Sequence, residues 1–106
     1  MNNNDEAMQL IKRKSDGMGP EIRWAANMLN LSQLSVAVRL TAVGYENLDE
    51  NCQRACDKAL LRLYEVANSA TMSVELLDAC TETMDEACAL IDKDHLPEQE
   101  NEIGPD

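Results

Sequence analysis

The spacing of apolar residues along the chain is helical throughout. Apolar positions recur three and four residues apart, and no stretch combines strict apolar–polar alternation with the β-branched residues typical of a strand. The pattern predicts five helices, which cover residues 4–15, 20–30, 32–43, 48–67 and 74–91. We therefore expect an all-α fold, a small bundle of four to five helices.

Turn and cap residues set the predicted boundaries in the first half of the chain. Two glycines precede Pro20, and proline suits the first turn of a helix. Ser32 can cap a new helix that follows Asn30, and Gly44 is placed to end it. These signals predict a pair of helices joined by a short turn.

The second half contains no glycine or proline between Tyr45 and Leu96. The segment "NSATMS" at 68–73 is rich in turn and cap residues, so we expect an antiparallel helical hairpin over residues 46–94. The alternative is one long dimerising helix, whose apolar seam would need a second chain to bury it. A single domain would then cover residues 1–94, and the polar, proline-broken residues 95–106 are predicted to form a disordered acidic tail.

Charge divides the chain into two unlike halves. The net charge is −11, with +1 in residues 1–45 and −12 in residues 46–106. Such an acidic balance disfavours binding to phosphates and favours a protein partner with a basic surface. The chain has no stretch of about 20 apolar residues and no apolar leader, so we expect a cytoplasmic protein with no membrane partner and with reduced cysteines.

The four cysteines lie on the apolar faces of the predicted hairpin. Cys52 and Cys56 are one helical turn apart, but Cys80 and Cys88 are eight residues apart, about 12 Å along a helix. Two thiolates on one zinc ion lie within about 4.6 Å of each other. The spacing therefore predicts core cysteines, with a three-ligand or intersubunit metal site as the alternative.

Groups that carry catalysis are scarce in this sequence. His95 is the only histidine, and we expect it to be exposed at a helix end. No EF-hand loop, phosphate-binding glycine-rich loop or nucleophile elbow is present. We expect no catalytic residue, no cofactor and no bound metal, and hence no enzyme.

Carboxylates recur at helical spacing in the hairpin, typical of a solvated helix face. Our leading hypothesis is a small acidic, non-enzymatic protein-binding regulator, inhibitor or adaptor that acts through helical surfaces. An inhibitor that mimics nucleic acid is an alternative, since spaced carboxylates resemble phosphates. The predicted protein-binding residues are Asp57, Glu65, Glu75, Asp78, Glu82, Asp85 and Glu86.

The stretch "AANMLNLSQLSVAVRL", continuing to "VGY", resembles the helix-turn-helix of bacterial regulators over residues 22–45. The resemblance implies that Ala26 packs between two helices, that Asn30 takes the turn, and that Val36 and Leu40 anchor the second helix. The alternative function is thus a transcription regulator with a C-terminal dimerisation hairpin, active as a homodimer. Its nucleic-acid contacts would come from Lys12, Lys14, Gln33, Ser35 and Arg39.

The same segment departs from that family in its second helix. This helix carries one charge, on Arg39, whereas a recognition helix presents several polar and basic side chains to DNA. An ordinary antiparallel helix pair is the simpler interpretation. On that interpretation we expect the second helix to be buried on most of its circumference.

Overall fold

The computed structural model describes residues 3–95, which form four α-helices, one short 3-10 turn and no strand. The helices are α1 (Asn3–Ser15), α2 (Pro20–Val43), α3 (Glu50–Ala67) and α4 (Val74–His95), and the 3-10 turn is Tyr45–Asn47. The prediction of a small all-α bundle is confirmed. Within residues 3–95, every helix is too short or too polar to span a lipid bilayer.

The helices surround one core in the order α1, α2, α4, α3, each packing against its two neighbours in that ring. Ser32 bonds Asp85 and Arg39 bonds Asp92, so positions on α2 and α4 advance together and these two helices run parallel. Because α2 and α3 lie on a diagonal of the ring, the chain from Gly44 to Asp49 crosses the end of the bundle.

The hairpin of α3 and α4 is confirmed, and one continuous helix over residues 46–94 is excluded. Residues 68–73 reverse the chain, and the Ser73 hydroxyl caps α4 by accepting the Leu76 N–H at 3.1 Å. The Lys14 ammonium on α1 donates to the carbonyls of Ala67 and Ser69, at 2.7 and 3.0 Å. This contact satisfies carbonyl groups left open at the end of α3 and ties α1 to the turn.

The predicted turn between Asn30 and Ser32 is wrong, because α2 is one helix from Pro20 to Val43. Asparagine and serine break helices weakly, and tertiary packing overrides them here. The Ser32 hydroxyl does not cap a helix but donates to the Asp85 carboxylate at 2.7 Å. Gln33, placed just after the expected turn, is buried against the core.

The predicted end of the helix at Gly44 is confirmed. Gly44 has a φ of +90°, which favours glycine, and its N–H donates to the Leu40 carbonyl at 2.8 Å. The 3-10 turn that follows was not predicted. Asp49 then caps α3, since its carboxylate accepts the Cys52 N–H at 2.8 Å.

All four helices contribute fully buried side chains to the core. The largest are Ile11, Leu29, Leu63, Leu77 and Ile91. They lie on the faces that the three- and four-residue spacing selects. At the end of the domain, α4 extends to His95, so the first residue of the predicted tail is helical, and residues 96–106 lie outside the described residues.

Leu61 and Leu63 on α3 provide a matched test of this core. Leu63 is fully buried and Leu61 is 60% exposed. We expect Leu63→Ala to lower the free energy of unfolding by about 2–5 kcal/mol, through lost burial and a residual cavity. Leu61→Ala should change it by no more than about 0.5 kcal/mol. Urea unfolding followed by circular dichroism measures both, and equal losses would contradict the packing described.

Candidate protein-binding surface

The outer side of α2 exposes a line of large apolar residues. Trp24, Leu31 and Val38 are 68%, 58% and 67% exposed, although each is an apolar or aromatic side chain. Met28 and Leu34 are exposed beside them. Spacings of three, four and seven residues place these side chains along one side of a helix. We call Trp24, Met28, Leu31, Leu34 and Val38 the α2 stripe.

The expectation that the second predicted helix, residues 32–43, is buried on most of its circumference is therefore wrong. The buried residues of α2 occupy one side of the helix, and they are Ala25, Ala26, Leu29, Gln33 and Val36. α1 and α4 cover its two flanks, while α3 lies across the diagonal. Among the described residues, no element covers the remaining face. Isolated exposed leucines are ordinary, whereas the α2 stripe is a continuous apolar line along one helix.

An open groove of about 1040 Å³ lies at the N-terminal end of the α2 stripe. Its apolar lining comes from two places, the start of α2 and the turn that leads into α4. We call it the methionine groove, lined by Met18, Trp24, Met28, Met72 and Val74. Methionine side chains are flexible and polarisable, so such a lining adapts to the shape of an incoming side chain.

Carboxylates form the polar part of this groove. Glu21 from α2 and Glu75 and Asp78 from α4 line it, and among its described lining residues there is no lysine, arginine or histidine. The groove thus combines an apolar floor with a negative rim. A partner that places an apolar side chain in the groove and a cation beside it would match both features.

The seven acidic residues predicted to bind a protein are all exposed, but they lie on different surfaces of the bundle. Glu75 and Asp78 line the methionine groove, and Asp85 lies on the same seam between α2 and α4 through its bond to Ser32. Glu82 is exposed on α4 between them in sequence. Glu75, Asp78 and Asp85 therefore lie on the side of α4 that faces α2.

The remaining three acidic residues lie elsewhere. Asp57 accepts the Tyr45 hydroxyl at 2.9 and 3.0 Å, and this bond raises the pKa of Tyr45. Glu65 pairs with Arg62 on its own helix at 3.5 Å. Glu86 lines a shallow groove between α3 and α4 that also contains Arg54 and Lys58. Spacing along the sequence predicts which carboxylates are exposed, but not which share a surface.

The residues predicted to contact nucleic acid do not form one surface. Lys14 is engaged with the carbonyls at the end of α3, and Gln33 is only 4% exposed. The Ser35 hydroxyl donates to the Leu31 carbonyl within its own helix, at 3.0 Å. Lys12 is exposed on α1, and Arg39 is held by an acidic partner. These positions offer few donors to phosphates or base edges.

The Arg39 guanidinium forms a two-pronged ion pair with Asp92. Its Nε and Nη2 donate to the two carboxylate oxygens at 2.8 and 2.9 Å. This hydrogen bonding holds the pKa of Asp92 below its usual range and raises the pKa of Arg39. The pair therefore joins the C-terminal half of α2 to α4.

The four cysteines are free thiols in the core, as predicted. Burial raises the pKa of all four, that of Cys52 to about 12 and that of Cys80 to about 11. They are therefore protonated and poorly nucleophilic at neutral pH.

One group of metal-ligating side chains escaped the sequence analysis. Asp49, Cys52 and His95 each place a ligand atom within 4.8 Å of the other two. His95, expected to be exposed, is partly buried beside the start of α3. The prediction compared the cysteines only with one another and treated His95 as an exposed residue, so it did not combine the start of α3 with the end of α4.

No protein-family model, curated protein sequence or solved structure matches this chain.

The Arg39–Asp92 pair predicts a specific pH dependence of stability. Because the pKa of Asp92 is lowered in the folded state, the contribution of the pair is present above pH about 4 and is lost as the pH falls through that lowered pKa. Both side chains are partly exposed, so solvent screening limits the contribution to about 1 kcal/mol. Arg39→Gln should cost up to that amount at pH 7, and the cost should shrink below pH 4.

Urea unfolding of the wild type and of Arg39→Gln between pH 2.5 and pH 7 measures the cost of the substitution at each pH. Arg54→Gln is the matched control, since Arg54 makes a long, exposed contact with Glu50 at 3.7 Å. It should leave the free energy of unfolding nearly unchanged at every pH. A cost of Arg39→Gln that does not change with pH would contradict the role assigned to Asp92.

Proposed function

We propose that this protein is a small, acidic, non-enzymatic binding protein, a regulator, inhibitor or adaptor that docks a helix of a partner protein on the α2 stripe. The observation that carries the proposal is the exposure of Trp24, Leu31 and Val38 along one uncovered face. Burying such a line removes apolar surface from water, which is the main favourable term in protein association. A protein of this kind acts by occupying part of its partner.

The dimensions of the surface favour a helical partner. The α2 stripe runs from residue 24 to residue 38, about 21 Å at 1.5 Å per residue. An amphipathic helix that binds lengthwise presents anchors at the same three-, four- and seven-residue spacings. Trp24 lies at the groove end of the line, and tryptophan is enriched among the residues that dominate binding energy. We therefore place the main anchor of the partner in the methionine groove.

The charges favour a basic partner over a second copy of this chain. Glu21, Glu75 and Asp78 border the groove, and each chain carries a net charge of −11. Two copies that met through α2 would bring two negative rims together, which costs free energy. Lysine or arginine beside the apolar anchors of a partner would instead meet these carboxylates and speed association.

Photo-crosslinking from two matched positions tests this proposal. A benzophenone amino acid replaces Leu31 on the α2 stripe in one variant and Leu61 on α3 in the other, which are 58% and 60% exposed. We expect irradiation in cells to give a discrete heterologous adduct from position 31 and none from position 61. The yield in lysate should fall as salt is raised, because salt screens the acidic rim.

Charge reversal on α4 gives the second control. Glu75→Lys should reduce the adduct from position 31, whereas Glu86→Lys, with the same change in net charge, should not, because Glu86 lies in a different groove. Equal adducts from positions 31 and 61 would overturn the proposed surface. An adduct between two copies of this chain would replace the basic partner with a homodimer.

A further inference from the structure

The start of α3 and the end of α4 bring four metal-ligating side chains together. Asp49 is the residue that caps α3 and Cys52 lies in the first turn of that helix, while Asp94 and His95 are the last two residues of α4. One ligand atom each from Asp49, Cys52 and His95 lie within 4.8 Å of one another. The Cys52 Sγ and the Asp94 Oδ2 are 3.6 Å apart.

Hydrogen bonds hold these side chains in position. The Asp49 carboxylate accepts the Cys52 N–H at 2.8 Å, and the Asp49 N–H donates to the His95 Nε2 at 3.4 Å. Cys52 itself is fully buried, so its sulfur has a fixed place in the cluster.

The donor set and its spacing suit zinc. Thiolate, imidazole and carboxylate are the three ligand types that zinc takes from proteins, at about 2.3, 2.0 and 2.1 Å. In a tetrahedral site these lengths place sulfur and oxygen about 3.6 Å apart, which matches the 3.6 Å between the Cys52 Sγ and the Asp94 Oδ2. The ligand atoms of Asp49, Cys52 and His95 lie within 4.8 Å of one another, so each pair has at most about 1.5 Å to close to reach the roughly 3.3–3.6 Å separations of a tetrahedral site.

We propose that Asp49, Cys52, Asp94 and His95 form a zinc site that joins the two ends of the α3–α4 hairpin. Binding forms a sulfur–zinc bond and releases the Cys52 thiol proton to water, with no change of oxidation state. If zinc takes the His95 Nε2, it replaces the long hydrogen bond from the Asp49 N–H. The sulfur and nitrogen donors select zinc over magnesium and calcium, which prefer all-oxygen sites.

The site would stabilise the folded domain by linking residues far apart in sequence. Along the sequence, the whole hairpin lies between the ligands at the start of α3 and those at the end of α4. A metal ion that binds only the folded state raises the stability of that state by mass action. The added positive charge also offsets the carboxylates of Asp49 and Asp94. This role is independent of the partner proposed for the α2 stripe.

Calorimetric titration of the reduced, metal-free full chain with Zn²⁺ tests the site. We expect one ion per chain, a higher melting temperature and release of a proton, seen as a dependence of the heat on the buffer. His95→Ala and Cys52→Ala should each weaken the affinity at least tenfold. Cys56→Ala is the matched control, because Cys56 is buried one turn further along α3 and lies outside the cluster; it should bind normally.

Co²⁺ provides a direct readout of the ligands. The wild-type chain and Cys56→Ala should show a thiolate-to-cobalt charge-transfer band, and Cys52→Ala should lack it. His95 is only partly buried and lies at the end of α4, so His95→Ala should leave the fold intact while metal affinity falls. The proposal is overturned if wild type binds no Zn²⁺, if Cys52→Ala and His95→Ala bind as wild type does, or if Cys56→Ala weakens binding as much as they do.

Discussion

The arrangement of this domain depends on the burial of one face of α4. Leu77, Cys80, Met84, Ala87 and Ile91 are almost completely removed from water along this face. α4 can bury them only by packing against α2 on one flank and α3 on the other, which places α2 and α3 on a diagonal. That diagonal leaves the outer side of α2 without a neighbour among the described residues. The exposed stripe is therefore a direct consequence of how the core closes.

The two proposed sites lie at opposite ends of α4. Glu75 and Asp78 border the methionine groove near the start of the helix, whereas Asp94 and His95 end it. A helix of 22 residues is about 33 Å long, several times the screening length of about 8 Å in physiological salt. The charge of a bound metal ion would therefore have little direct effect on a partner in the groove. Any coupling between the sites would pass through the stability of the hairpin itself.

Turn and cap residues along the sequence were sufficient to predict the hairpin, but they gave a wrong break within α2. The segment 68–73 combines several turn residues, and the chain reverses there. Asn30 and Ser32 offered a weaker version of the same signal, and packing of Leu29, Gln33 and Val36 on one side of a continuous helix outweighed it. Single cap residues without glycine or proline are poor evidence for a break, because a few tenths of a kcal/mol of propensity are easily overridden.

The candidate sites were less predictable than the fold. The exposure of Glu75 and Asp78 follows from helical spacing, but the exposure of Leu31 and Val38 depends on which helices are neighbours, and that is set by contacts distant in sequence. The group formed by Cys52 and His95 could have been found. An antiparallel hairpin with arms of similar length brings the start of its first helix to the end of its second, and Cys52 and His95 occupy those positions.

The parallel packing of α2 and α4 also has a consequence for the order of assembly. The bonds from Ser32 to Asp85 and from Arg39 to Asp92 each join residues 53 positions apart, whereas α3 and α4 meet across a six-residue turn. Closing a short loop costs less entropy than closing a long one. We expect the hairpin to form early and α2 to dock on it afterwards, so that the transition state contains the hairpin and lacks much of the contact between α2 and α4. The face of α2 that remains open in the finished domain would then belong to a helix that docks on a hairpin already formed.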